Sequence, residues 1–237
     1  KCNDNTFQSI MLYLLLIILA IALIIGPAYW VKHIMERYSQ PDDRYAHTGA
    51  EFARQLLDQE GLSHVKVELT ELGDHYDPID KAVRLTSDKF NNASLTAITV
   101  AAHEVGHAMQ DRDDYAALKI RTKLVILAAP AQKLGAAILM LAPVSVMFIR
   151  SPLIGGLLVL GGFLSLGSTA LVHIITLPME LNASFSRALP LLKKSQYLKE
   201  GDELHAHTLL TAAAWTYVSA SLMTLLNIAR WWAILRR

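Results

Sequence analysis

The sequence predicts a mainly α membrane protein, with about four transmembrane helices and a small α+β domain set between the first two. Three observations predict it. The 237 residues are 53% hydrophobic and only 18% charged, with a mean hydropathy of +0.31. That balance suits an integral membrane chain better than an ordinary soluble domain. Four apolar segments approach the length needed to cross a hydrocarbon core of roughly 30 Å. Between the first and second of them the pattern changes to short amphipathic and alternating stretches.

The first apolar segment, residues 10–31, ends in Tyr29-Trp30 followed by Lys32, His33 and Arg37, an aromatic and basic interfacial signature. Its length, with no small-residue cleavage site after it, predicts a retained anchor rather than a signal peptide. Lys1 is not an initiator methionine, so further residues are expected upstream.

Residues 42–123 read as a polar domain. After Gln40-Pro41-Asp42-Asp43, residues 48–57 have helical periodicity that stops near Gly61. Residues 65–69 alternate as a half-buried strand should, and residues 82–86 read as a second strand. The intervening Gly73-Asp74-His75-Tyr76-Asp77-Pro78 is rich in turn formers, which predicts a small hairpin-like sheet. Asn91-Asn92-Ala93-Ser94 then supplies helix-capping residues ahead of an apolar run into residue 102. An edge strand beside that helix could hold an extended peptide through main-chain hydrogen bonds.

Residues 124–177 hold the second and third expected spans, joined by a turn at Arg150-Ser151-Pro152. Gln132-Lys133 interrupts the second, and five glycines in the third favour close helix packing. Residues 178–204 form a linker, and residues 205–232 hold the fourth span, closed by Arg230-Trp231-Trp232. Most Lys and Arg near span ends lie in 32–123 and 187–199, which predicts that this side faces the cytoplasm in a multi-pass arrangement.

Composition excludes several classes. The net charge is +1 with no basic run, so no nucleic-acid partner is expected. The lone Cys2 rules out an internal disulfide and a cysteine-based metal module.

The chemistry concentrates in His103-Glu104-Val105-Gly106-His107. On a helix, positions i and i+4 share a face, so both imidazoles can ligate one Zn2+ while Glu104 leans toward an open coordination position. Burying these groups in so apolar a helix would be costly without a partner.

A third ligand is needed. Asp113 stands six residues after His107, but Gln110 occupies the position where a glycine would turn the chain, so Asp113 is expected to point elsewhere. His75 and Asp77 lie in a loop before the helix, a less common source. Glu180, directly after the third span, is the better choice, since a carboxylate abutting an apolar helix needs water or a partner. His173 reads as packed, and His205 and His207 as interfacial.

These residues carry a resemblance. Residues 48–54, 74–78, 83–85, 101–110, 178–184 and 212–218 resemble the YugP-like bacterial membrane zinc metallopeptidases, and the blocks run nearly end to end. The resemblance implies a zincin-like catalytic domain in a bacterial cytoplasmic (inner) membrane protein, distantly similar to the HtpX and CAAX-prenyl protease group. It implies one Zn2+ per chain on His103, His107 and Glu180, with Glu104 as general base. It also implies protein or peptide substrates drawn from membrane or membrane-proximal proteins, and leaves any regulatory membrane partner unspecified. Where relatives carry Asp after the glutamate, this chain has Asn182, which can still accept and donate outer hydrogen bonds, and Asp77 is a further outer-contact candidate that can accept them. His75 or Tyr76 reads either as a donor to a developing oxyanion or as part of a Pro-containing turn. Two rival classes are a non-catalytic zinc-stabilised membrane scaffold or adaptor, and a transporter-like bundle. The first would usually close its metal with four protein ligands, and the second has few intramembrane ionisable residues beyond Lys133 and His173.

Overall fold

A computed structural model describes residues 2–149, 152–216 and 218. Their order is α1 (Cys2–Arg37), α2 (Gly49–Gln59), β1 (Lys66–Leu69), β2 (His75–Asp77), β3 (Ala82–Leu85), α3 (Ser87–Phe90), α4 (Leu95–Arg112), α5 (Ala116–Ile149), α6 (Pro152–Leu181), a π-helix (Asn182–Ala188) and α7 (Leu189–Lys194). Residues 202–216 are again helical.

Local signals start two of the polar domain's helices. Thr48 and Glu51 make a reciprocal capping box at the start of α2, each satisfying a backbone N–H of the other. Ser94 caps α4 by accepting from the Ala97 N–H at 3.1 Å. Phe52, Leu56 and Leu57 of α2, Val83 and Leu85 of β3, and Ile98, Ala102 and Val105 of α4 are fully buried together. Leu191 and Leu192 of α7 and Leu209 and Leu210 join the same core. Each large apolar side chain buried there contributes about 1.5–3 kcal/mol, enough to hold a central helix that carries polar groups.

The sheet differs from the expected hairpin. Its order is β1-β3-β2. β1 runs parallel to β3, with Val67 opposite Val83, and β2 runs antiparallel to β3, with Tyr76 opposite Val83. The expected turn block therefore contains a strand, and β3 sits between two edges. The turn from β2 to β3 passes through Lys81 at positive φ, and Asp77 Oδ1 accepts from the Ile79 and Asp80 N–H groups.

The four-span arrangement is corrected. Among the described residues, no helix is long and apolar enough to cross a membrane. The apolar segments are parts of longer helices whose other turns are polar. α1 opens with Asn3-Asp4-Asn5 and closes with Lys32-His33 and Glu36-Arg37. α5 begins with Lys119, Arg121 and Lys123. The orientation read from basic residues counted charges at span ends and goes with the spans. Most of the expected fourth span, and Arg150-Ser151, lie outside the described residues.

Candidate metal centre

Helix α4 supplies the stripe on which the centre is built. His103 and His107, one turn apart, are each 6% exposed, as is Glu104 beside them. Their partner comes from the last turn of α6. Pro178 removes one helical hydrogen bond there, and two residues later Glu180 is 1% exposed. Its Oε2 lies 3.2 Å from His103 Nε2 and 3.1 Å from His107 Nε2. The two Nε2 atoms are themselves 3.2 Å apart. Three side chains thus bring one ligand atom each to a single buried point.

Outer contacts fix what those atoms present. Gln110, fully buried, donates through Nε2 to Met179 O and Asn182 Oδ1, both at 2.9 Å. A backbone carbonyl can only accept, so the amide orientation is set and Oε1 faces His107 Nδ1 at 2.9 Å. His107 Nδ1 must carry the proton that it donates there. In the neutral ring its Nε2 then offers a lone pair to the centre. On the other imidazole, Ser184 Oγ lies 3.1 Å from His103 Nδ1.

Close helix approach makes this possible. A Cβ on Gly106 would sit 2.8 Å from the Ala183 carbonyl oxygen, so only glycine lets α4 lie this near the π-helix. Arg187 binds the two ends together, donating to Asn182 Oδ1 at 3.1 Å and to Asp113 Oδ2 at 2.6 Å.

The electrostatics suit a cation. Burial acts to raise the Glu180 carboxyl, but His107 and His103 hold it well below the usual carboxylate range. Its second oxygen, Oε1, is buried with no hydrogen-bond partner among the described residues, which is costly for a carboxylate. Two imidazole nitrogens and a carboxylate oxygen converging with that orphan oxygen fit a zinc ion held by three protein ligands with a position left open. Burial pushes the Glu104 carboxyl up to about 7, His103 opposing and the nearby Glu180 and Asp74 carboxylates adding to the rise.

The other predicted residues have definite places. Tyr76 is buried and donates its hydroxyl to Asp111 Oδ2 at 2.6 Å, two helical turns beyond Glu104. His75 Nδ1 bonds the Gly73 carbonyl at 2.8 Å. Asp77 Oδ2 accepts from Arg84 at 2.6 Å. None of the three meets His103, His107 or Glu180, whereas Asn182 reaches His107 through Gln110. Sequence reasoning passed over Gln110 and Ser184. Their signals were their places in the blocks 101–110 and 178–184 that carry the resemblance, a glutamine three residues after the second histidine and a serine four residues after the glutamate.

Comparison with known proteins supplies what geometry alone lacks. The sequence model of the family described as "Putative neutral zinc metallopeptidase" matches residues 13–236. The chain belongs to this zinc metallopeptidase family. A relative in the family, from Bacillus subtilis (strain 168) and called "Putative membrane protease YugP", is 37% identical over 223 residues, covering 93% of this chain and 95% of that protein. No solved structure matches. Membership in the zinc metallopeptidase family implies zinc, and His103, His107 and Glu180 are the group able to hold it among the described residues.

Proposed function

We propose that the protein is a zinc-dependent endopeptidase of the HExxH-plus-glutamate, or gluzincin-like, kind, acting on membrane or membrane-proximal proteins. The convergence of His103, His107 and Glu180 beside Glu104 carries this reading. When bound, zinc supplies Lewis-acid chemistry, making water acidic enough to ionise near neutral pH and polarising a carbonyl. Glu104 takes the proton of the attacking water and passes it to the leaving amine. Its buried carboxyl, already pushed up to about 7, holds a proton readily enough for both steps, and the added positive charge of a cation would keep it ionised at rest. Gln110 and Ser184 hold the two imidazoles in place while this happens.

Two observations support association with a membrane. The relative is called a membrane protease. On α1, Met11, Leu14, Leu15, Ile18, Leu19 and Ile25 are each more than half exposed, and clustered exposed apolar side chains mark protein or lipid contact.

The test is Glu104→Gln. Zinc measured by elemental analysis should stay at one per chain while cleavage of casein or a quenched peptide falls by about 10²-fold or more. Undiminished cleavage by a zinc-replete variant would rule out Glu104 as the base. A wild-type chain that holds zinc and cuts nothing would instead favour the scaffold reading.

A further inference from the structure

The two edges of the sheet differ in what lies beside them. β2 is on the metal side, since Asp74, one residue before it, lines a cavity of about 220 Å3 beside His103 and Glu104. β1 is the far edge. The Lys66 and Thr70 N–H groups reach the Lys81 and Leu85 carbonyls, both at 2.9 Å, so by the alternation of a strand Val67 and Leu69 turn their N–H and C=O groups outward. Arg54 Nη1 covers only the start of this edge, donating to Val65 O at 2.6 Å. Beyond it, a groove of about 1030 Å3 opens between Val67 and the Arg54, Gln55 and Asp58 side of α2. No proline blunts residues 66–69. Leu69, on the Val67 face, is instead 56% exposed.

Charge decides what fits there. On the outer face of the sheet Glu68 accepts from Arg84 at 3.1 Å, and Arg84 also donates to Asp77 and Asp80, each at 2.6 Å. One guanidinium therefore serves three carboxylates. Lys66 projects from the same face of β1 as Glu68 and has no ion pair among the described residues. A lone lysine on an edge strand keeps other strands away. A lysine and a glutamate placed symmetrically about an outward-turned residue instead match an antiparallel copy of themselves.

We propose that two copies of the chain pair antiparallel through β1, with a two-fold axis at Val67. Each Val67 then donates its N–H to the Val67 carbonyl of the second copy and accepts from it in return. Each Lys66 lies opposite Glu68 of the second copy, so the row Lys66, Glu68, Arg84 alternates in sign across the interface, and the carboxylates that share Arg84 gain a second cation. Leu69 comes opposite Val65 of the second copy. The pairing is independent of the peptidase reading and leaves the cavity beside His103 and Glu104 open in both copies.

The experiment uses the zinc-loaded full chain. Sedimentation equilibrium in density-matched detergent should show a reversible step from 26.2 kDa to twice that mass, at ~100 µM or below, the weak range of small interfaces. Lys66→Glu and Glu68→Lys each set like charges opposite one another twice, and each should weaken the dimer by about tenfold or more while one zinc per chain is kept. The double variant K66E/E68K, and an equimolar mixture of the two single variants, recreate unlike pairs and should restore the dimer. In a Cys2→Ser background, Val67→Cys should form an intermolecular disulfide on mild oxidation, because the Cα atoms of a hydrogen-bonded antiparallel pair lie ~5.5 Å apart. A wild-type chain that stays monomeric overturns the proposal. So does a dimer indifferent to the single swaps, which would mark contact through the exposed face of α1, and so do single swaps that neither combination rescues. Cross-links from the Val67→Cys chain to other proteins in place of a second copy would give the edge to a foreign strand and overturn it too.

Discussion

Replacing Gln110 by leucine removes three hydrogen bonds at once while keeping a side chain of similar size. The His107 Nδ1–H is buried and would lose its partner, and the buried Met179 carbonyl would lose its side-chain donor. Asn182, half-buried, keeps Arg187 as a donor. A buried group left unpaired costs about 1–3 kcal/mol, so the loss at His107 alone should destabilise the fold by about that amount. The loss at His107 has a second consequence. With no acceptor at Nδ1, the ring is free to exchange tautomers, and a proton on Nε2 blocks the lone pair. Residues behind a metal-bound histidine typically account for 10- to 100-fold in affinity, so zinc affinity in Gln110→Leu should fall by about that factor. Chelator competition gives the affinity and urea unfolding the stability. Gln110→Glu separates the two effects, because a carboxylate still accepts from His107 Nδ1–H but, ionised, cannot donate to Met179 O. It should restore most of the zinc affinity and little of the stability. Wild-type zinc affinity in a folded Gln110→Leu chain would refute the assigned role.

Three further outcomes are expected. Gly106→Ala places a methyl 2.8 Å from the Ala183 carbonyl oxygen, and the overpacking should cost about 1–3 kcal/mol together with weakened zinc binding, read by thermal unfolding and chelator competition. Asp202 is buried among Arg44, which donates twice at 2.8 Å, the Tyr45 hydroxyl and His205 at 3.7 Å. Burial acts to raise its carboxyl, yet these partners leave it below the ordinary range, so its stabilisation is complete above about pH 4 and disappears as pH falls through its lowered value. Asp202→Asn should flatten the acid limb of stability against pH, and an unchanged limb would show that other carboxylates set it. Zinc removal with a chelator should lower the midpoint of thermal unfolding, since zinc at a thousandfold over its dissociation constant adds about 4 kcal/mol; an unmoved midpoint would mean that no ion was bound in the folded chain.

What could be read from sequence follows the range of the interactions involved. α4 was legible because Ser94, the apolar run and the His103–His107 spacing are local and agree with one another. α2 was legible through its Thr48–Glu51 box. Glu180 stood out because a carboxylate at the end of an apolar helix has few other uses. β2 did not, because His75–Asp77 is three residues long and sits between turn formers, and it becomes a strand only by pairing with β3. The parallel pairing of β1 with β3 was equally hidden, since it depends on which strand α4 can cover. Gln110 and Ser184 act through side-chain direction across 72 and 81 residues of sequence separation, which no local pattern reports. The expected spans failed for the opposite reason. Apolar length was read locally, while the helices that contain it run on through polar turns.

Everything that grips the ligand set comes from residues 179–187. Glu180 contributes an oxygen, Met179 and Asn182 anchor Gln110, Ser184 meets His103, Ala183 packs on Gly106, and Arg187 closes on Asp113. The π-helix concentrates them. Glu180 and Ser184 reach opposite nitrogens of the same His103 ring from positions four apart, and wider i to i+5 hydrogen bonding starts between them, at Asn182. The sheet contributes no ligand and instead brings Asp74 to the far wall, beside α1 and residues 209–216. Substitutions in 179–187 should move zinc affinity first.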